Sequence, residues 1–156
     1  MINQILTYKE VLEIFKKLLR SNSLKYTKQR ELILEIIYNN QGHFTPEDIY
    51  NLIKKSYPNV RLGIATVYRT LGLLEDANIV SSISFGAKGK KYEFGLGEHH
   101  DHLVCIVCGA IEEFVDDTIE RQQELIAKKH NFKMTNHIMK ITGICKDCQA
   151  KKRAKN

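Results

Sequence analysis

Two Cys-x-x-Cys pairs constrain the fold of this chain more than any other feature. The first pair is Cys105 and Cys108, the second is Cys145 and Cys148, and thirty-six residues separate them. Each pair can offer two thiolates to one ion, and four thiolates close a tetrahedral zinc site with no open position. We expect a structural site, because the ion would join the two ends of a small domain and its binding would contribute folding free energy. Free or redox-active thiols are the alternative.

A histidine-rich segment lies just before the first cysteine pair. His99, His100, Asp101 and His102 follow one another. Alternate side chains of an extended segment point to opposite faces, so His100 and His102 share one face and His99 and Asp101 the other. We therefore expect two reversible metal sites with nitrogen and oxygen ligands, which suit iron(II), manganese, zinc or nickel. The residues that could complete them are His43, Glu93, Glu113, Glu120 and His137; a solvated polar loop is the alternative.

The charge of the chain changes sign along its length. Residues 1–97 carry fourteen Lys and Arg against nine Asp and Glu, residues 98–145 carry five against eight, and residues 146–156 carry five against one. A basic front half favours a polyanionic partner and an acidic middle favours cations, although ordinary solvated charge gives the same pattern.

The sequence contains no apolar run long enough to span a membrane, and its start does not resemble a signal peptide. We therefore expect a cytoplasmic protein with no membrane partner. The cytoplasm is reducing, so the cysteine pairs favour zinc over disulfide bonds.

The front half predicts four amphipathic helices. Thr7 and Glu10 form a capping box for the first, Thr27 is the expected N-cap of the second, and Thr45 with Pro46 begins the third. Apolar residues recur at helical spacing in each, which predicts a packed core. Basic residues crowd the start of the second helix, where the helix dipole favours acids. Either a nearby phosphate backbone or plain solvation would account for them.

The fourth predicted helix has two different sides. One side is apolar, and the other presents Thr66 and Arg69 with Tyr68 on the flank. Such residues can contact phosphates and base edges, so the pattern is typical of a DNA recognition helix. An ordinary surface helix is the alternative. A β-hairpin follows, with strands at 79–85 and 91–94 and a basic turn containing Lys88 and Lys90. Helices followed by a basic hairpin form the winged-helix pattern.

The fold class is therefore expected to be α+β in two domains. We predict a winged-helix DNA-binding domain at 1–94, a hinge at 95–97, a metal-binding α/β domain at 98–148 and a flexible basic tail at 149–156. In the second domain we expect strands at 102–107 and 111–115, a helix capped by Asp117 with Glu120 and running to about His130, and an extended segment at 132–144.

These features together resemble the ferric uptake regulator family from about Leu24 to Cys148. The motifs that carry the resemblance are LKYTKQR at 24–30, ATVYRTL at 65–71, KYE at 91–93, HHDH at 99–102 and the two cysteine pairs, the first followed by Gly109. The resemblance implies a homodimeric, metal-dependent transcriptional repressor. Its winged helix would bind an inverted-repeat DNA operator, as a dimer or a pair of dimers, and its α/β domain would dimerise.

The resemblance also implies a role for each site residue. The regulatory metal site would be His43, Glu93, His100, His102 and Glu113. The second metal site would be His99, Asp101, Glu120 and His137, and the four cysteines would hold structural Zn²⁺. Lys25, Tyr68 and Arg69 would contact DNA, and the residue pattern adds Thr66, Lys88 and Lys90 to them. The regulatory metal would be Fe²⁺, replaceable by Mn²⁺, Co²⁺ or Zn²⁺.

Within the family the residues favour iron sensing. Peroxide-sensing relatives tend to have aspartate in the sensing site, where this chain has Glu93 and Glu113. Zinc- or nickel-sensing regulators remain alternatives. Ser23 and Lys91 depart from the glycine and arginine that are common in the family.

Two further classes of protein are weighed against a repressor of iron-uptake genes. A metalloenzyme would need an open metal position and a general base, but the sequence contains no nucleophile motif, and the recognition helix would be unexplained. A metal buffer would bind ions without sequence-specific affinity for DNA. We therefore expect a regulator and not an enzyme.

Overall fold

The computed structural model describes residues 6–85 and 88–153. The chain divides into two compact units, Met1–Glu98 and His99–Asn156. Among the residues described, none of the helices has the length and apolar character that crossing a membrane requires.

The first unit contains four helices: α1 (Tyr8–Ser21), α2 (Lys28–Asn39), α3 (Pro46–Ser56) and α4 (Ile64–Asp76). The predicted starts of α1, α2 and α3 are confirmed. Thr7 and Glu10 close a capping box on α1, and the Thr27 hydroxyl accepts a hydrogen bond from the N–H of Arg30. Thr45 caps α3 in a second capping box with Asp48. These local hydrogen bonds satisfy N–H groups that a helix start would otherwise leave without partners.

Two of these helices end in the same backbone motif. After α1 the N–H of Leu24 donates to the carbonyl of Leu19, and Ser23 has a φ of 54°. After α4 the same bonds form around Asn78, whose φ is 56°. The residue in this left-handed position is usually glycine or asparagine, because a Cβ is strained there. Ser23 therefore holds a strained conformation.

A β-hairpin completes the first unit. Strands β1 (Val80–Ser84) and β2 (Lys90–Phe94) pair antiparallel, and residues 86–87 of the connecting turn lie outside the described part. An isolated bridge joins β2 to the loop before α3, because Phe44 and Tyr92 each donate an N–H to the other's carbonyl at 2.9 and 2.8 Å. The helices and hairpin enclose a core that includes Phe15, Leu32, Ile33, Ile37, Ile49, Ile53, Val67, Leu71, Leu74 and Ile79. This is the predicted winged-helix arrangement.

Gly95 lies against β1 rather than in an open linker. Its N–H donates to the carbonyl of Ile79 over 2.9 Å. A Cβ at this position would lie 3.0 Å from the nitrogen of Ser81 and from the carbonyl carbon of Val80. A Cβ on Gly97 would approach only Phe94, at 3.9 Å or more. The predicted hinge at 95–97 is thus tied to the hairpin at its first residue.

The second unit contains a three-stranded sheet in the order β4-β3-β5. Strand β3 (Asp101–Cys105) pairs antiparallel with β4 (Ile111–Phe114) and parallel with β5 (Lys140–Gly143). Helix α5 (Asp117–Lys129) connects β4 to β5, and α6 (Lys146–Arg153) follows β5. Among its described residues, the buried hydrophobic side chains are Val104 and Cys105. This unit therefore has little apolar core of its own.

The helix start in this unit differs from the prediction by one residue. The N-cap of α5 is Asp116, whose carboxylate accepts from the N–H groups of Thr118 and Ile119. Asp117, which was expected to cap the helix with Glu120, is instead its first residue. Both aspartates have the same capping chemistry, so composition alone does not choose between them.

The extended segment and the tail also differ from expectation. Residues 132–139 form no strand, because parallel pairing with β3 begins only where Lys140 lies opposite His102. The tail expected to be flexible is helical as far as Arg153, and residues 154–156 lie outside the described part. Alanine, lysine and arginine favour helix, and cations in the last turn of α6 complement its dipole.

Candidate metal centres and a basic cleft

The two cysteine pairs meet because β3 and β5 end side by side. Cys105, the last residue of β3, pairs with Gly143, the last residue of β5, so Cys145 follows at the same edge of the sheet. The N–H of Gly109 donates to the Cys105 carbonyl over 2.9 Å, which closes a tight turn around Cys108. The sulfur atoms of all four cysteines lie within 4.8 Å of one another. The Sγ atoms of Cys108 and Cys145 are 3.7 Å apart.

Hydrogen bonds within the cluster shift the pKa values of two of these thiols in opposite directions. The N–H of Cys145 donates to Cys105 Sγ over 3.3 Å. Together with the backbone of Cys108 it lowers the pKa of the Cys105 thiol to about 6. Hydrogen bonding to Cys145, burial and bonds to the other two sulfurs raise the pKa of Cys148 to about 12. Four thiolates this close would repel one another unless a cation lay between them, so the donor set fits a zinc ion.

A second cluster joins His99, Asp101, Glu120 and His137, whose ligand atoms lie within 4.8 Å of one another. Oε1 of Glu120 is 3.3 Å from Nε2 of both histidines, and the two imidazole centres are 4.1 Å apart. Asp101 is fully buried, and its Oδ1 accepts the N–H of Met139 over 3.2 Å.

Four buried atoms of this second cluster have no hydrogen-bond partner among the residues described. They are His99 Nε2, Asp101 Oδ2, Glu120 Oε1 and His137 Nε2. Buried polar atoms are almost always satisfied in folded proteins. Two imidazole nitrogens and two carboxylates that converge in this way fit a divalent ion with mixed nitrogen and oxygen ligands.

In the first unit, the bridge between Phe44 and Tyr92 places His43 beside Glu93. His43 Nε2 lies 2.9 Å from Glu93 Oε2, and both side chains are largely buried. Ser81, directly opposite on β1, donates its hydroxyl to the other carboxylate oxygen over 2.9 Å. Glu93 is thereby oriented, with one oxygen fixed by β1 and the other facing His43.

The second unit gathers His100, His102 and Glu113. His102 lies opposite Glu113 in the pairing of β3 with β4. His100 Nε2 is 3.7 Å from Glu113 Oε1, and the rings of His100 and His102 are 4.8 Å apart. The segment 99–102 therefore sends alternate side chains to two different groups, in the pattern expected of an extended chain.

The residues predicted to contact DNA differ in their surroundings. Tyr68 and Arg69 of α4 are exposed, and the Tyr68 hydroxyl donates to Glu47 Oε1 over 2.7 Å. Lys88 is exposed. Lys90 is exposed as well, but its ammonium lies 2.9 and 3.0 Å from the two carboxylate oxygens of Glu75. Lys90 is thus held against the end of α4 by an internal ion pair.

A basic cleft of about 480 Å³ includes Lys25, Thr66 and Arg69 among its lining residues. It also includes Arg30, one of the basic residues that crowd the start of α2, and Arg61, to which the sequence assigned no role. Arg61 lies in the loop before α4, and no spacing rule connects it with Lys25, so its place in the cleft appears only in three dimensions.

Comparisons of the sequence and of the structure with known proteins both find ferric uptake regulators. The model of the ferric uptake regulator family matches residues 21–142. The ferric uptake regulation protein of Campylobacter jejuni is 53% identical over 152 residues, which cover 97% of both chains. The solved structure of the Helicobacter pylori ferric uptake regulator, described as having three functional metal binding sites, has a TM-score of 0.79 at 37% identity and covers 93% of this chain and 95% of that one. The Campylobacter jejuni peroxide stress regulator has a TM-score of 0.64 at 29% identity, with 89% and 99% covered.

Proposed function

This chain belongs to the ferric uptake regulator family, and from that premise we propose that it is an iron(II)-responsive repressor of iron-uptake genes. It binds an inverted-repeat operator as a dimer in the cytoplasm, and it is not an enzyme. The observation that carries the proposal is a ligand set divided between the two units. His43 and Glu93 are held 2.9 Å apart in the winged-helix unit. The other unit gathers His100, His102 and Glu113.

We propose that these five side chains hold one regulatory ion. When bound, iron(II) would supply a centre that takes imidazole and carboxylate ligands from both units. Ser81 keeps one oxygen of Glu93 occupied and leaves the other directed at His43. Because the proposed ligands come from both sides of residue 98, binding of the ion would be coupled to DNA binding by the winged-helix unit. Metal and operator then strengthen each other's binding, since the coupling free energy is reciprocal.

We assign the other two clusters to supporting roles. The four cysteines hold structural zinc at the edge where β3 and β5 end. The cluster of His99, Asp101, Glu120 and His137 holds a second ion that ties α5 to the start of β3. Both would stabilise a unit in which few hydrophobic side chains are buried.

The exposed apolar side chains of the second unit support the proposal that it dimerises. Large hydrophobic side chains are exposed on the loop after β3, on α5 and around β5, and they include Ile106, Val107, Leu125, Ile126, Phe132, Ile138 and Ile141. Exposed apolar surface of this kind marks a protein interface. A second copy of the chain is the partner that an inverted-repeat operator requires, because the symmetry of such a site mirrors that of a dimer.

Two observations favour iron over peroxide as the signal. Glutamates, Glu93 and Glu113, stand where peroxide-sensing relatives tend to have aspartate. The chain is also 53% identical to the ferric uptake regulation protein of Campylobacter jejuni, against 29% for the peroxide stress regulator from that species.

Operator binding measured by fluorescence anisotropy without oxygen tests the proposal. A duplex selected from a random pool by the iron-loaded protein should bind tightly with Fe²⁺, and also with Mn²⁺, Co²⁺ or Zn²⁺, and weakly after chelation. The variant His100→Ala/His102→Ala should lose the metal response. His130→Ala is the matched control, because His130 caps the end of α5 outside all three metal clusters.

Each alternative gives a different result in the same assay. Metal-dependent binding that survives in His100→Ala/His102→Ala contradicts the proposed site. Loss of binding after peroxide treatment indicates a peroxide sensor, and a response confined to zinc or nickel indicates a sensor of that metal. Metal uptake without selection of any duplex indicates a metal buffer.

A further inference from the structure

The basic cleft of the first unit carries an inference beyond the metal response. It lies between the segment that precedes α2 and the exposed side of α4. Four of its lining residues are cationic, namely Lys25, Arg30, Arg61 and Arg69, and none is acidic. Thr66 and Thr70 lie on its α4 side.

The cations of the cleft lack internal counter-charges. Within the described ranges 6–85 and 88–153, no carboxylate forms an ion pair with Lys25, Arg61 or Arg69. The guanidinium of Arg30 donates to the carbonyl of Lys25, which also lines the cleft. By contrast, Lys16, Lys28 and Lys90 of the same unit each have a glutamate partner. The cleft is therefore a concentration of uncompensated positive charge.

Two hydrogen-bonding features shape the cleft. The side chain of Gln29 donates to the carbonyl of Arg61 over 3.2 Å, which ties the loop before α4 to α2. Thr70 is 1% exposed, and its hydroxyl has no hydrogen-bond partner among the described residues. A buried hydroxyl is rarely left without a partner. It is a donor that a group seated in the cleft could use.

We propose that this cleft seats one backbone phosphate of the operator DNA, with Arg61 and Arg30 as phosphate-binding residues. The inference rests on the proposed function, in which α4 is the recognition helix and enters the major groove of the operator. A sugar-phosphate strand borders that groove on each side. Since Thr66 and Arg69 of α4 line the cleft together with Lys25, the bordering strand on that side crosses it. Arginine suits this position because its planar donors match phosphate oxygens in pairs.

Arg61→Gln tests the inference in the full-length, metal-loaded protein. Loss of one phosphate contact in each protomer should weaken binding of the dimer about four- to twenty-fivefold, equally for selected and random duplexes. It should also reduce the slope of log K against log salt by about two, one for each protomer. Arg20→Gln removes the same charge from α1, outside the cleft, and should change the slope less. Arg61→Lys should recover the slope, and equal melting temperatures confirm that each variant is folded.

The contacted phosphate is located by replacing each phosphate of the selected duplex in turn with a neutral methylphosphonate. At one position in each half-site, the methylphosphonate should lower the affinity of the wild-type protein but should not lower the affinity of Arg61→Gln any further. That non-additive pair would identify the phosphate in the cleft. Additive losses at every position overturn the inference.

Two controls separate this inference from its alternatives. Inorganic phosphate titrated into the DNA-free protein and followed by calorimetry should bind no better to wild type than to Arg61→Gln. Tight binding lost in that variant would assign the cleft to a free phosphate compound and overturn the DNA assignment. If the metal-loaded protein selects no duplex, the proposed function itself has failed. If it selects one and Arg61→Gln keeps the full salt slope, only the cleft assignment has failed.

Discussion

The hydroxyl of Tyr68 donates a hydrogen bond to Glu47 across 2.7 Å, so an exposed side chain of α4 is fixed by the first turn of α3. This bond to a carboxylate raises the pKa of the Tyr68 hydroxyl, because the carboxylate favours the protonated phenol that donates to it. It also places a carboxylate beside a residue proposed to contact bases. Glu47 therefore has two expected effects. Its hydrogen bond orients Tyr68, and its negative charge repels the phosphates of any DNA bound at α4.

Replacement of Glu47 should separate these two effects. Glu47→Ala should raise affinity for random DNA, because a negative charge is removed. It should lower the ratio of operator to random binding about fivefold, because one hydrogen bond that fixes Tyr68 is lost. Glu47→Gln should keep more of that ratio, since an amide can still accept the bond. Competition binding with operator and random duplexes measures both quantities.

Glu35 supplies the matched control for this prediction, because it accepts a similar hydrogen bond from Tyr57 over 2.9 Å. Tyr57 and Glu35 are outside the DNA-contact set. Glu35→Gln should leave the specificity ratio unchanged. An equal effect of Glu35→Gln and Glu47→Gln would show that general charge, and not the orientation of Tyr68, controls the ratio.

The ion pair between Lys90 and Glu75 gives Lys88 and Lys90 different expected roles. Lys88→Gln should reduce the salt slope of DNA binding, because its charge is exposed and available to a phosphate. Lys90→Gln should change the slope less and should lower the stability of the hairpin, because it leaves Glu75 without its cation. Salt titration of binding and urea unfolding distinguish the two. Equal salt slopes of DNA binding for the two variants would show that a DNA phosphate replaces Glu75 as the partner of Lys90.

The same pair predicts a pH dependence. Burial raises the pKa of the Glu75 carboxyl, but hydrogen bonds from Ser82 and Lys90 outweigh it and leave that pKa below its usual value. A carboxyl with a lowered folded-state pKa stabilises the fold above its unfolded pKa, and that stability disappears as pH falls through the folded value. Glu75→Gln should therefore reduce stability at neutral pH and flatten its acid dependence below about pH 4.3. Urea unfolding across that range is the measurement.

Local signals in the sequence predicted the helices and the cysteine site well. Thr7 with Glu10 and Thr45 with Pro46 act within one turn of helix, so their spacing alone specifies their contacts. The alternation of His99 to His102 likewise depends only on backbone geometry.

What the sequence did not predict depends on contacts between distant segments. Lys90 meets Glu75 fifteen residues earlier, and Gly95 packs on Val80. Arg61 joins Lys25 in one cleft. No periodicity connects these positions. Strand β5 begins at Lys140 because of its partner β3, whereas the apolar composition of 132–144 extended the prediction too far.

Ser23 offers a test of backbone strain. Its φ of 54° is a conformation in which a Cβ is disfavoured. Ser23→Gly should stabilise the first unit by about 1 kcal/mol. Asn78→Gly is the matched control, because Asn78 has a φ of 56° in the same helix-ending motif and asparagine tolerates this region better. Thermal unfolding should give the larger gain for Ser23→Gly, and an equal or smaller gain would contradict the assignment of strain.

The glycines of the predicted hinge should respond differently to alanine. Gly95→Ala should destabilise the first unit by about 1–3 kcal/mol, because the added Cβ meets the backbone of β1 at 3.0 Å. Gly97→Ala should be tolerated, since its nearest contact lies at 3.9 Å. Urea unfolding measures both stabilities, and operator titration shows whether either change alters the metal response. A fully stable Gly95→Ala would show that Gly95 is not held against β1.

Zinc removal should unfold the second unit selectively. This unit buries few hydrophobic side chains, whereas the first has an extensive apolar core. A strong chelator, or Cys148→Ser, should therefore abolish amide exchange protection in β3 and β5 while α2 and α4 keep theirs, because metal binding supplies the folding free energy that the small core lacks. His99→Ala/His137→Ala, which spares the cysteines, should cause a smaller loss. Hydrogen exchange followed by mass spectrometry resolves the two units in one experiment, and protection of β3 that survives in zinc-free protein would show that the cysteine site is not needed for the fold.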